Sequence, residues 1–406
     1  MKKNLLLLHL ESLNLLNYRM NPDFFPILQE IEQQCLVFDR YYSTATSTLM
    51  VIGDLLYGAM NLYEGCKSLD SVPSEYCYSS SLFDDLKEQG YDTGIYIYPE
   101  GGGRESAEAR HIAGFRHQMV LLRNYSEYVA AFEQKMDCQP FALMACNYIS
   151  NLGLNNYTDI SQYSMGTGLW EAGFRCMDQC CGDLLKLLKE KKLMDDTVII
   201  FYGDHGDDYW GHGTHSGLTH AIEPNNLLIH TPLFIWDGVH REKSEHDLRL
   251  IQTSDLREII VNLLNSKSIM GLPERKYVIS RNEYAAQPVR ADSFNKAYSV
   301  TEGRYLLMVS SKGLEMYDTK MDPACQNNVL RFFVYENGTL KSNEKNAEFF
   351  RFHFASFWNS REQRIIRQKF YEVRNILYDM ALELYLSGGL GEKDMLDEME
   401  FEKIAY

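Results

Sequence analysis

The sequence predicts an α/β fold with a largely parallel central sheet, on three observations. Continuous apolar runs such as "LLLL", "FALMAC" and "TVIIF" are bounded by polar residues, as in strands buried on both faces. Stretches with helical spacing alternate with these runs, the pattern of helices packed on a parallel sheet. From about residue 275 the pattern changes to short segments separated by glycines, which read as antiparallel hairpins.

In chain order, "NLLLLHLES" (4–12) reads as a buried first strand and "PDFFPILQEIEQQC" (22–35) as a helix. "VFDRYYS" is extended. "STLMVIGDLLYGAM" (47–60) is a helix with Ser and Thr where an N-cap belongs. "SLFDDLKEQGYDTGIYIYP" (81–99) reads as helix, glycine stop and strand, and "PFALMACNYIS" (140–150) as a strand. A clear amphipathic helix, "GFRCMDQCCGDLLKLLKEKKL" (173–193), precedes the strand "TVIIFYG" (197–203), and "HTPLFIWDG" (230–238) is another buried strand. "YSVTEGRYLLMVSSKGLEMYD" (298–318) forms hairpins with glycine turns, and "EQRIIRQKFYEVRNILYDMALELYL" (362–386) is a long amphipathic helix. The aromatic cluster "FFRFHFASFW" (349–358) reads as packing on the main domain, and the acidic last sixteen residues as a mobile end. The expected division is a catalytic domain over 1–275, an antiparallel subdomain over 276–340 and a helical tail over 341–406.

At 406 residues the chain has room for one large core and a smaller one. Its net charge of −16 argues against nucleic acid, whose affinity comes from Lys and Arg on phosphates, and against an anionic membrane surface. An anionic substrate would therefore need a local positive centre. Two lysines followed by leucines mimic a signal peptide, but the run stops at His9 and Glu11 and no small-residue cleavage site follows. No stretch approaches the roughly eighteen apolar residues of a membrane helix. Nine cysteines without a CxxC pair read as reduced thiols and predict a cytoplasmic protein.

"FYGDHGDDYWGHGTHSG" (201–217) gathers three aspartates and three histidines directly after a buried strand. Asp204 and His205 thus sit at the carboxyl edge of the sheet, where open α/β sheets bind ligands. Carboxylate and imidazole together suit a divalent cation, Zn or Mn first, with Ca or Mg as alternatives. Glu11 closes the first strand and should emerge at the same edge, where an acid after so apolar a run needs a pair or a metal. His9, on the same face two residues earlier, reads as a histidine satisfied within the core. In "YYSTATSTLMVIGDLLYG" a hydroxyl at a helix N-terminus lies among free N–H groups that suit an anion, where a metal-activated threonine can attack a phosphoryl or sulfuryl centre. Its plainer reading is an N-cap. Asn147, ending "FALMACN", is a candidate substrate contact, and Arg104 after "PEGGG" a candidate anion clamp.

"DQCCGDLLKLLKEKKLMDDTVIIFYGDHGD" (178–207), "SLFDDLKEQGYDTG" and "GRYLLMVSSKGLEMYDTKMDPACQNN" (303–328) resemble the sulfatase branch of the alkaline phosphatase superfamily. The resemblance spans roughly residues 1–330 and implies an alkaline-phosphatase-like sandwich with a small C-terminal α+β subdomain. The sequence departs from ordinary sulfatases at the nucleophile. Their Cys-x-Pro-Ser-Arg cysteine stands ten residues after a phenylalanine; here ten residues after Phe38 is Thr48, and Glu11-Ser12 replaces paired aspartates. In these features the chain resembles the lipoteichoic acid synthases and phosphoethanolamine transferases. That resemblance implies Glu11, Thr48, Asp204 and His205 as ligands of Mn or Zn, with Thr48 as nucleophile and Thr46 as its rival. It makes His212 the nearest match to the transferases' downstream histidine, with His215 next; His220 and His230 read as structural. The implied activity is a metal-dependent phosphoric ester hydrolase or phosphotransferase. The alternatives are a sulfuric ester hydrolase and a non-catalytic anion-binding homologue. Because the chain starts at the catalytic strand rather than with membrane helices, a soluble acceptor such as a saccharide is expected; the aromatic cluster and long helix also allow an oligomer.

Overall fold

The computed structural model describes residues 2–58, 80–98, 119–122, 124–147, 169–208, 220, 222–267, 269, 275–282, 297–310, 312–343, 360–386 and 404. Its helices are α1 (Leu15–Met20), α2 (Pro26–Glu32), α3 (Thr48–Tyr57), α4 (Leu82–Glu88), α5 (Tyr125–Lys135), α6 (Leu169–Glu190), α7 (Asn226–Ile229), α8 (Leu256–Leu264) and α9 (Ser360–Leu386). The main sheet has eight strands: β1 (Asn4–Leu10), β2 (Leu36–Phe38), β4 (Asp92–Tyr98), β5 (Met119–Leu121), β6 (Phe141–Asn147), β7 (Thr197–Gly203), β8 (Leu233–Trp236) and β9 (Glu245–Asp247). Their spatial order is β5-β4-β6-β1-β7-β8-β2-β9. The strands from β5 to β7 run parallel, and β8 lies antiparallel to both its neighbours.

β1 is central because five of its seven residues are leucines, each fully buried, and burial of one such side chain stabilises by roughly 1.5–3 kcal/mol. Alternation divides those leucines between two layers. Leu5 and Leu7 face a layer formed by α3, α4 and α8, through Val51, Leu55, Phe83 and Ile260 among others. Leu6, Leu8 and Leu10 face the opposite layer, where Tyr18, Leu28, Phe132 and Leu184 come from α1, α2, α5 and α6. Helices therefore flank a mostly parallel sheet on both faces, as expected from the sequence. The reversed β8 was not anticipated. An apolar run reads alike in either direction.

Two short strands, β3 (Tyr41–Tyr42) and β10 (Ile251–Gln252), pair in parallel. The C-terminal region forms an antiparallel sheet of β11 (Val278–Asn282), β12 (Ala297–Thr301), β13 (Tyr305–Ser310) and β14 (Gly313–Asp318), followed by the hairpin β15 (Phe333–Glu336) and β16 (Thr339–Ser342). α9 packs on this sheet through Ile366, Phe370 and Val373. The aromatic cluster at 349–358 and the last sixteen residues, save Ile404, lie outside the described residues. Among the described cysteines none is bonded to another, and all but Cys138 are buried. No described helix is long and apolar enough to cross a membrane.

Candidate active site

Register places the site. His9 lies beside Cys146 on one side and Tyr202 on the other, and Leu10 beside Gly203. One step further, Glu11 and Asp204 emerge next to each other at the carboxyl ends of β1 and β7. By alternation they share a face with His9, the face toward α3. Ser12 then adopts a left-handed backbone (φ 59°) and its N–H donates to Asp204 Oδ1 at 3.1 Å, which ties the two strand ends together.

The two glycines of "GDHG" are required by close packing. A Cβ on Gly203 would lie 2.8 Å from the Leu13 carbonyl oxygen and 2.7 Å from Thr231 Cβ. On Gly206 it would lie 2.0 Å from the Leu227 carbonyl oxygen. The loop carrying Asp204 and His205 is thereby pressed onto α7, with Gly206 N–H donating to Leu228 O at 2.8 Å.

Thr48 is the first residue of α3, after the extended Ser47 (φ −144°, ψ 142°). Its Oγ1 lies 3.3 and 3.5 Å from the Glu11 carboxylate oxygens and 3.1 Å from His205 Nε2. The neighbouring Thr46 donates its hydroxyl to Ile222 O at 3.1 Å, away from this cluster, so the geometry separates the two rival threonines. His205 Nε2 is 3.2 Å from Asp204 Oδ2 and 3.9 Å from Glu11 Oε1. His9 also joins: its Nε2 lies 3.1 Å from Asp204 Oδ2 and 3.2 Å from Glu11 Oε2. Reading His9 as an ordinary core histidine missed this contact. The period of two already put His9 and Glu11 on one face; the parallel pairing of β1 with β7, which brings Asp204 beside them, is what completes the contact.

All five side chains are at most 5% exposed, so their charges meet little water. Burial pushes the His205 imidazole down to about 4, leaving it neutral near pH 7. For Asp204, burial opposes ionisation, but hydrogen bonds from His9 and from the His205 backbone N–H favour the carboxylate and hold the carboxyl below its ordinary range. His205 Nδ1 lies 3.0 Å from Gly206 O, a contact that assigns its proton to Nδ1 and leaves Nε2 as a lone pair. That lone pair faces Asp204 Oδ2, which His9 Nε2 also approaches, at 3.1 Å. An ionised carboxylate, an imidazole lone pair and a second acid, Glu11, converging in a buried space are the donors a divalent cation needs. His9, Glu11 and Asp204 alone offer three ligand atoms within 4.8 Å of one another.

His220, read from sequence as structural, stacks on His205 with ring centroids 4.5 Å apart, and its Nδ1 lies 2.9 Å from Asp207 Oδ1. Asn147 is not brought to the cluster. It shares its register position with Leu10, so its side chain faces the opposite layer, where Tyr128 donates to its Oδ1 at 2.7 Å. The candidate substrate contact thus lies apart from the cluster of Thr48, Glu11, Asp204 and His205. His230 is structural as expected: it stacks on Tyr42 at 4.5 Å and its Nε2 lies 3.1 Å from Asp39 O. Arg104, His212 and His215 lie outside the described residues.

The segment that carries α6, β7, the Asp204–His205 loop and α8 matches a known family model. Residues 172–266 match the Sulfatase family. An arylsulfatase from Clostridium perfringens is 26% identical over 171 residues, 39% of this chain, and the match spans only 35% of that relative. The whole fold extends the likeness beyond the sulfatase segment. A solved 2-O GAG sulfatase superposes with a TM-score of 0.62 at 14% identity, covering 93% of this chain and 94% of that one. The phosphonate monoester hydrolase of Agrobacterium radiobacter superposes with a TM-score of 0.57 at 12% identity, covering 87% and 94%. At such identities these structures speak for the sulfatase fold alone.

Proposed function

We propose that the protein is a metal-dependent enzyme of the sulfatase type that cleaves a phosphate ester through Thr48, passing the group to water or to a soluble acceptor such as a saccharide. The observation that carries this reading is the convergence of Thr48 Oγ1, His205 Nε2 and the carboxylates of Glu11 and Asp204 at the start of α3. The threonine and the single strand-end glutamate favour the subgroup of lipoteichoic acid synthases and phosphoethanolamine transferases. The buried free thiols fit a reducing compartment and hence a cytoplasmic enzyme.

Glu11, Thr48, Asp204 and His205 would hold the cation, with His9 beside them. Mn or Zn suits this mixed donor set best, and when bound it supplies Lewis-acid polarisation and a lowered hydroxyl pKa. The protein's own part is positional. Thr48 Oγ1 forms a bond to phosphorus as the ester P–O bond on the far side breaks. Its hydroxyl proton has an acceptor within reach in Glu11 Oε2. The first turn of α3 turns its free N–H groups toward the transferring oxygens. The departing alkoxide takes a proton, for which we assign His212, with His215 next, and Arg104 clamps the anion. Water or an alcohol then displaces the threonine oxygen and restores the hydroxyl.

The arylsulfatase relative favours a second reading, sulfate ester hydrolysis at the same residues. One assay separates the two. Purified enzyme with Mn²⁺ or Zn²⁺ is given bis-p-nitrophenyl phosphate, p-nitrophenyl phosphate and p-nitrocatechol sulfate, alongside Thr48→Ala. We expect phosphoester cleavage that falls by at least about 10³-fold in Thr48→Ala. Sulfate cleavage alone would replace the substrate class. Activity surviving in Thr48→Ala would remove threonine as nucleophile, and metal binding without turnover would favour a non-catalytic anion-binding role.

A further inference from the structure

We propose that Arg281, on the first strand of the C-terminal sheet, is a positioning residue for Thr48, acting through Asp54 on α3. The inference rests on the reading of Thr48 as the nucleophile.

Arg281 and Asp54 are both fully buried. The pair is bidentate, with Arg281 Nη1 donating to Asp54 Oδ2 at 2.7 Å and Nη2 to Oδ1 at 3.0 Å. The Thr44 hydroxyl adds a third donor to the same carboxylate, at 2.5 Å from Oδ2. Arg281 also holds the chain leading into α3: its backbone N–H and its Nη1 donate to Thr44 O at 3.0 and 3.2 Å, and it bridges Ala45. The adjacent Ser280 hydroxyl donates to Ser43 O. One residue of β11 therefore grips both the segment preceding Thr48 and the helix following it.

A buried ion pair is a poor source of stability, because desolvation offsets its attraction and an apolar pair often serves as well. What it supplies is direction. The apolar contacts of α3 (Val51, Ile52, Leu55, Leu56) carry no directional preference of their own, whereas a two-pronged guanidinium–carboxylate contact fixes both angle and distance. Asp54 lies six residues along α3 from Thr48, about 9 Å at helical rise, so fixing one fixes the axial position of the other. Thr48 Oγ1 is useful only while it stays within bonding range of Glu11 and His205.

The test compares wild type, the paired variant Asp54→Leu with Arg281→Met, Arg281→Lys, Thr48→Ala, and the triple combination. Replacing both partners avoids stranding a lone buried charge, so the paired variant should melt close to wild type. We expect its kcat to fall about 10²-fold with KM within about threefold, the signature of a misplaced reacting group. Arg281→Lys, which keeps the charge but loses the fork, should retain the melting temperature and still lose kcat. Mn²⁺ affinity, measured by titration without substrate, should drop about tenfold in the paired variant, and adding Thr48→Ala should cause no further drop. A folded paired variant with wild-type kcat and Mn²⁺ affinity overturns the proposal, as does full additivity with Thr48→Ala. If the wild type binds Mn²⁺ but cleaves no ester, the enzymatic reading fails while the Mn²⁺ cycle still decides the positioning role. A wild type that binds no metal overturns both.

Discussion

Asp204 stays ionised with no solvent contact, its carboxyl held below the ordinary range at the centre of the cluster. A cation bound there should raise the melting temperature, by the equivalent of about 2.7 kcal/mol at a hundredfold excess over Kd. Asp204→Asn should abolish that rise, and so should stripping the wild type with a chelator; differential scanning fluorimetry with and without Mn²⁺ reads both. Glu11, Asp204 and His205 were legible in the sequence because each follows a buried strand, where a charged side chain calls for a partner. Thr48 was legible only through its likeness to a family pattern, since a threonine at a helix start is usually a cap. His9 and His220 were missed for different physical reasons. His9 hides within an apolar run, and the stacking of His220 on His205 comes from chain folding that no spacing encodes.

At the scale of elements, the loop after β7 is held by what cannot be added to it. Gly206→Ala would force a methyl carbon to 2.0 Å from a backbone oxygen, and the backbone of α7 has no easy retreat. The variant should lose about 1–3 kcal/mol, the range for overpacking, together with the metal-dependent gain in melting temperature. Gly90→Ala meets no atom within 4 Å, so its cost should come only from its left-handed backbone (φ 87°), leaving metal binding intact. Thermal melts of the two variants with and without Mn²⁺ check the contrast. The long periodic elements, α6, β1, β6, β7 and α9, were read closely from sequence, to within a few residues. The six-residue α1 and the strands β9 and β10 were not, being too short for a period to register. The helices α5 and α8 lie in stretches the sequence reading left unassigned, although α5 has an Asn124 cap in place.

For the whole molecule, part of the loss of stability in acid follows from rings folded in their neutral form. Burial lowers the His230 pKa from 6.5 to about 4, so the unfolded chain binds its proton more readily. Stability from this residue is therefore complete above pH 6.5 and is lost as pH falls toward 4. His230→Gln, which keeps a donor for Asp39 O, should flatten the melting temperature across that window. An unchanged slope would assign the acid response to other groups. The position of β1 has a consequence of another kind. It is bonded on both sides, to β6 and β7, and its residues are buried throughout. Its amides should exchange with deuterium only when the entire molecule opens, while chain ends and loops exchange through local fluctuations. The strand ends bearing Glu11 and Asp204 would then hold their spacing before any cation arrives, and binding would cost little ordering entropy.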